Sequence, residues 1–179
     1  MMSDELRTIR AVQAGETEAF RVLVDRYRHA VIRFTRNLVR DQDAEDVAQD
    51  VFLAAFRRIA SFDPQQGRFA TWLLAIARNR CVSLLRDRRE SVDKVQHLDA
   101  RPNVREADAL DFGRRLDRAL DALPLEQKTA FVLAEIEGIA HAEIAEIEGV
   151  AVGTIKSRVS RAKEKLRDSL KPLWEDALK

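Results

Sequence analysis

The chain has 179 residues, 46% hydrophobic and 34% charged, with 31 Lys and Arg against 30 Asp and Glu for a formal net charge of +1. With only six Gly and four Pro, this composition excludes a collagen-like or disordered chain and favours an all-α protein of one medium domain or two small ones. The single cysteine excludes an intrachain disulfide and a cysteine metal cage, which fits a reducing cytosol.

The N-terminal stretch "MMSDELRTIRAVQAGETEAF" lacks the charged-then-apolar pattern of a signal peptide, and no apolar run approaches the roughly 18 residues a membrane span requires. A cytoplasmic protein with no membrane insertion is expected. Helical periodicity runs from about residue 4 to residue 89, broken by "RDQDAED" and by "SFDPQQGRF", where Asp-Pro and Gly67 mark a loop.

Between those breaks, "DAEDVAQDVFLAAFRRI" projects Val47, Val51, Ala55 and Ile59, flanked by Ala48, Phe52 and Phe56, onto a wide core face. The opposite side carries Asp43, Asp46, Asp50, Leu53 and Arg57. An acidic stripe with one exposed leucine suits a basic partner helix; acids in a first helical turn also complement the helix dipole, which covers Asp43 and Asp46 well and Asp50 poorly.

The following helix, "TWLLAIARNRCVSLLRDRR", has a core side of Leu73, Ile76, Ala77, Cys81 and Leu84. A second stripe holds Trp72, Asn79 and Arg86 at seven-residue spacing. An aromatic ring, an amide and a guanidinium along one face can stack on and hydrogen-bond unpaired bases, while Arg78, Arg88 and Arg89 hold phosphates. Trp72 serves equally well as a core residue.

Residues 91–111 are polar, contain Pro102 and Asn103, and show no sustained apolar stripe, so they read as a flexible linker between two small helical domains, 1–90 and 112–179. Beyond it, "ALDFGRRLDRALDAL" resumes the helical pattern, Pro124 interrupts it, and a short helix "HAEIAEIE", a tight "GVAVG" turn and a long basic helix follow. That spacing is a helix-turn-helix, whose second helix enters the major groove.

Charge segregates accordingly: residues 133–150 contain five glutamates and no Lys or Arg, and residues 152–171 contain seven Lys or Arg against two acids. In the basic helix Ile155, Val159, Ala162, Leu166, Leu170 and Leu173 form a buried stripe. Thr154 is placed to cap it. Lys156, Ser157, Ser160 and Arg161, near its N-terminus, are the candidates for base edges, with Glu164 and Lys165 on the same exposed arc; Arg158, Lys163 and Arg167 suit phosphates.

"DAEDVAQDVFLAAFRRI", "FATWLLAIARNRCVSLLRDRRE", "LPLEQKTAFVLAEIEG" and "EIAEIEGVAVGTIKSRVSRAKEKLR", in this order, resemble the extracytoplasmic-function sigma factors, bacterial initiation factors with two promoter-binding domains. The resemblance implies sigma region 2 in domain 1–90, which docks on core RNA polymerase and melts and reads the −10 element as single strand, and region 4 in domain 112–179, which reads the duplex −35 element. It implies polymerase contacts at Asp43, Asp46, Gln49, Asp50, Leu53 and Arg57, and −10 contacts at Arg68, Trp72, Arg78, Asn79 and Arg86, with the loop Ser61 to Phe69 helping to capture a flipped base. It implies −35 contacts at Thr154, Lys156, Ser157, Arg158, Ser160, Arg161 and Lys165, and control by a separate anti-sigma protein. The chain departs from the family pattern at Ala140, His141, Glu148 and Ala151, all at the first motif helix and its turn.

Two other classes predict different features. A free-standing repressor or activator with an N-terminal effector domain would bind duplex DNA unaided, with strong salt dependence. An enzyme finds no support in a Ser-His-Asp set, a phosphate-cradling glycine loop or a paired-carboxylate pocket. Neither His29 nor His97 has ligand-spaced companions, so neither metal nor cofactor is expected.

Overall fold

The computed structural model describes residues 4–39, 41–94 and 109–177, and every regular element among them is helical. The chain divides into two compact units, Met1–Leu85 and Arg86–Lys179.

In the first unit, α1 spans Asp4–Gln13, α2 Phe20–Leu38 and α3 Asp41–Arg58, with 3-10 turns at Thr17–Ala19 and Ile59–Ser61, and α4 (Phe69–Lys94) belongs to it as far as Leu85. Gly15, at φ 102°, ends α1 in a conformation open to glycine, so the first helical stretch is two helices rather than one. The break expected at "RDQDAED" is narrower than its polarity suggests. Helix α2 closes at Val39 in extended conformation and α3 starts at Asp41. The acids belong to the first turns of α3, where they complement the positive end of the helix dipole.

The core of this unit comes from Ile9, Leu23, Val31, Phe34, Val51, Phe69 and Leu73, all at most 2% exposed. Side chains of this kind contribute about 1.5–3 kcal/mol each when fully buried. Thr35, fully buried among them, directs its hydroxyl at the carbonyls of Ile32 (2.9 Å) and Ala44 (3.0 Å), which satisfies a polar group and ties α2 to α3. The Tyr27 hydroxyl donates to Glu5 of α1. Burial, then the Glu5 carboxylate, push that phenol well above its ordinary value of 10.0.

In the second unit, α5 spans Ala109–Asp121, α6 Leu125–Phe131, α7 His141–Glu148 and α8 Val152–Ala177, and α5, α6 and α7 all pack on α8. Helix α6 widens into a π-turn at Val132–Ile136, marked by the Glu137 N–H bonding the Val132 carbonyl five residues back at 3.0 Å. Ala119, Leu120, Leu123, Ala162 and Leu166 form a core cluster, with Leu116, Phe131 and Leu170 against it. Of the expected linker, residues 91–94 continue α4, residues 109–111 belong to α5, and residues 95–108, His97 among them, lie outside the described residues.

Candidate nucleic-acid interface

Helix α3 separates its faces as the projection requires. Ala44, Val47, Ala48, Val51 and Ala55 are buried, as is Ile59 in the 3-10 turn that follows, while Asp46, Gln49, Asp50 and Arg57 are exposed and Leu53 is 47% exposed despite being apolar. Asp43 is only half-buried, with Oδ2 sealed inside the protein, so it belongs to the stripe less fully than its neighbours. Beside the stripe lies an apolar groove of about 390 Å³, walled by Phe20, Val24, Phe52, Leu53 and Phe56. Acids and groove together offer one charged and one apolar handhold.

The loop between α3 and α4 is built, not slack. Asp63 accepts the Gln65 N–H at 2.9 Å and the Gln66 side-chain amide at 3.2 Å, an Asx turn that fixes the tip. From α1, the Gln13 amide donates to the carbonyls of Ile59 (2.8 Å) and Phe62 (2.9 Å), fastening the loop's entrance. Neither tie is legible in the sequence, because the partners are 46 and 49 residues apart.

On α4, Leu73, Ile76, Ala77 and Cys81 are buried and Leu84 is half-buried. Of the second stripe, Asn79 and Arg86 are exposed, and Asn79 Oδ1 accepts from Arg78 at 3.2 Å. Trp72 is half-buried in an aromatic cluster, with ring centroids 5.4 Å from Phe62 and 5.5 Å from Phe69, so its ring is part core and part surface. Arg68 is exposed at the end of the loop. The side chains of Arg89 and Leu173 lie outside the described residues.

In the second unit, α7 ends at Gly149 (φ 65°, ψ 37°), with the Val150 N–H returning to the Ala145 carbonyl at 3.0 Å. This left-handed stop turns the chain into α8. Helix α8 starts at Val152, earlier than expected: the Ala151 carbonyl accepts the first bonds, from Thr154 (2.9 Å) and Ile155 (3.4 Å). Thr154 therefore lies inside the first turn and is no cap, since a capping residue must precede the helix.

Ile155, Val159, Ala162 and Leu166 are buried, and Lys156, Ser160, Arg161, Glu164 and Lys165 are exposed, as the stripe demands. Ser157 is half-buried and donates to the Thr154 carbonyl at 2.8 Å. Two of the expected phosphate cations find partners within the protein. Arg158 pairs with Glu148 at 2.5 Å and Lys163 with Glu135 at 2.7 Å. A glutamate just before a helix-ending glycine opposes the helix dipole, and that was the legible sign that Glu148 has a cation nearby.

Among the described residues no three His, Cys, Asp or Glu side chains are grouped to hold a metal ion, and no helix is long and apolar enough to cross a membrane. Residues 23–91 match the Sigma-70 region 2 family and residues 113–166 the Sigma-70 region 4 family. The ECF RNA polymerase sigma-E factor of Haemophilus influenzae is 33% identical, over 92% of this chain and 94% of that protein.

The chain belongs to the ECF RNA polymerase sigma factors.

Two solved structures agree with this. The sigma factor RpoE of Bartonella quintana, crystallised with the anti-sigma factor NepR, is 32% identical with a TM-score of 0.71, over 85% of this chain and 96% of that one. CnrH, in complex with the cytosolic domain of CnrY, is 28% identical with a TM-score of 0.71, over 92% of this chain and 96% of that one. The two family matches place α3, the following loop and α4 up to residue 91 of this sigma factor in region 2, and the helix-turn-helix in region 4.

Proposed function

We propose that this sigma factor docks on core RNA polymerase through the outer face of α3, captures the unpaired −10 strand with the 61–69 loop and α4, and reads the duplex −35 element with α8. The observation that carries the docking assignment is the exposed row Asp46, Gln49, Asp50 and Leu53 beside an apolar groove, on a helix otherwise committed to the core. Arg57 extends the row, and half-buried Asp43 stands at its start. For the −10 strand, Asn79, Arg78 and Arg86 would meet bases and phosphates and Arg68 the loop end, with Trp72 offering the edge of its clustered ring. For the −35 duplex, Lys156, Ser160 and Arg161 reach base edges from the first two turns of α8, Lys165 a phosphate, and Thr154 and Ser157 the backbone near the helix N-terminus.

The domains that carry these roles are 1–90 and 112–179, joined by 91–111. The protein works in the cytoplasm, catalyses no reaction of its own, and serves as an alternative, stress-responsive factor. Regulation by a separate anti-sigma protein is supported by the relative solved with the anti-sigma factor NepR.

Charge reversal tests the docking face. Asp46→Lys with Asp50→Lys should weaken association with core polymerase by on the order of tenfold or more, because opposed charges on a docking surface become repulsive. Both side chains are exposed, so the helical circular dichroism should be unchanged, and the melting temperature should fall by no more than a few degrees as the dipole complement at the start of α3 is lost. Association equal to wild type in a folded variant would remove α3 from the interface.

A further inference from the structure

The last residue of α7 breaks two rules of helix chemistry at once. Glu148 stands where the backbone carbonyls at the helix end repel an acid, and its side chain is 0% exposed. A carboxylate so placed needs a counter-charge to offset its lost hydration. Arg158, in the second turn of α8, supplies one: its Nη1 donates to Glu148 Oε2 at 2.5 Å, and its side chain is only 21% exposed. Its neighbours Lys156, Ser160 and Arg161 stay in solvent. The pair spans the Gly149–Ala151 turn and joins the two helices of the motif.

We infer that Glu148 is a positioning residue for the recognition helix and Arg158 its strut, so that Arg158 is withheld from DNA phosphates while Lys156 and Arg161 reach the duplex. This rests on the reading of α8 as the −35 helix. The strut fixes the angle at which α8 leaves the turn, and it subtracts one cation from those the helix offers to DNA. Selectivity for the −35 sequence then comes from a helix held at one angle, not from added phosphate grip.

The test uses the full-length factor assembled with core polymerase, and genomic duplex fragments that this holoenzyme selects. Affinity is measured against KCl concentration for the wild type, for Lys156→Ala and Arg161→Ala, for Glu148→Leu, and for the double variant Glu148→Leu with Arg158→Met. Each of the two alanine variants should weaken binding by on the order of tenfold and narrow the preference for selected over scrambled −35 sequence, the loss of one base-reading cation. The double variant should keep the wild-type slope and stay within about twofold of wild-type affinity, because an apolar pair can replace a buried ion pair. Glu148→Leu alone should raise the slope by about 1 and narrow the preference for selected over scrambled −35 sequence, since the released Arg158 then reaches a phosphate.

A slope lowered by about 1 in the double variant would show Arg158 on a phosphate and overturn the proposal. Should Glu148→Leu fail to fold, wild type against the double variant still decides. If neither alanine variant altered binding, the −35 assignment of α8 would fall, and the strut with it.

Discussion

Gln13 shows how a single side chain can shape a surface far from it in sequence. Its amide holds the Ile59 and Phe62 carbonyls at the entrance of the 61–69 loop; on truncation Phe62 would lose this donor, while Ile59 would keep the Phe62 N–H at 3.1 Å. Gln13→Ala should destabilise the N-terminal unit by about 1–2 kcal/mol, read from urea unfolding. Because the loop entrance is then free to drift, promoter opening by the holoenzyme should slow as well. Unchanged stability together with unchanged opening would mean that the loop keeps its shape without α1. Periodicity indicated which face of a helix each residue occupies, and it did so correctly for Val51, Ala77, Ile155 and Arg161. It carried no information on partners. For Arg158 and Lys163 a projection cannot show Glu148 or Glu135, their partners on other helical segments. Trp72 stayed ambiguous for a physical reason, since its ring is both packed in the cluster and half-exposed.

Helices were legible as elements, and their ends less so. The apolar stripe of α8 and the run "HAEIAEIE" of α7 follow from spacing alone, and α7 falls on His141–Glu148 as read. Polarity blurs the boundaries where a polar run holds both a break and the start of the next helix. Acids at the start of α3 are helical because the dipole favours them there, and Thr154 is helical because Ala151 already provides the first acceptor. The π-turn after α6 left no trace in the pattern, since one wider turn shifts the register of a helix too short to display it. The stop between α7 and α8 depends on backbone conformation instead. An added Cβ at Gly149 meets nothing within 4 Å, so Gly149→Ala isolates the cost of positive φ. It should destabilise the C-terminal unit by about 1–2 kcal/mol, and Gly149→Asn by less, because Asn tolerates the left-handed region. Equal unfolding midpoints for glycine and alanine would contradict a left-handed stop there.

At the scale of the whole molecule, what could be read early was the segregation of charge rather than its sum. A net charge of +1 hides five acids in residues 41–50 and seven basic residues in 152–171. The near-neutral total suits a protein that relies on a large partner for much of its grip on DNA, whereas a free-standing repressor depends on its own cations. Two helical units fit a division of labour in which one faces the polymerase and the −10 strand and the other faces the −35 duplex. The division was visible in the sequence because the polar stretch after α4 interrupts both periodicity and apolar content.

The most direct measurement of that account is co-elution of the purified protein with bacterial core RNA polymerase on a sizing column, run beside a gel shift of genomic promoter fragments with the protein alone. Stable co-elution without a shift by the protein alone is the predicted result. A shift without co-elution would contradict it: the protein would then bind promoters by itself, and the acidic face of α3 would have no polymerase to meet.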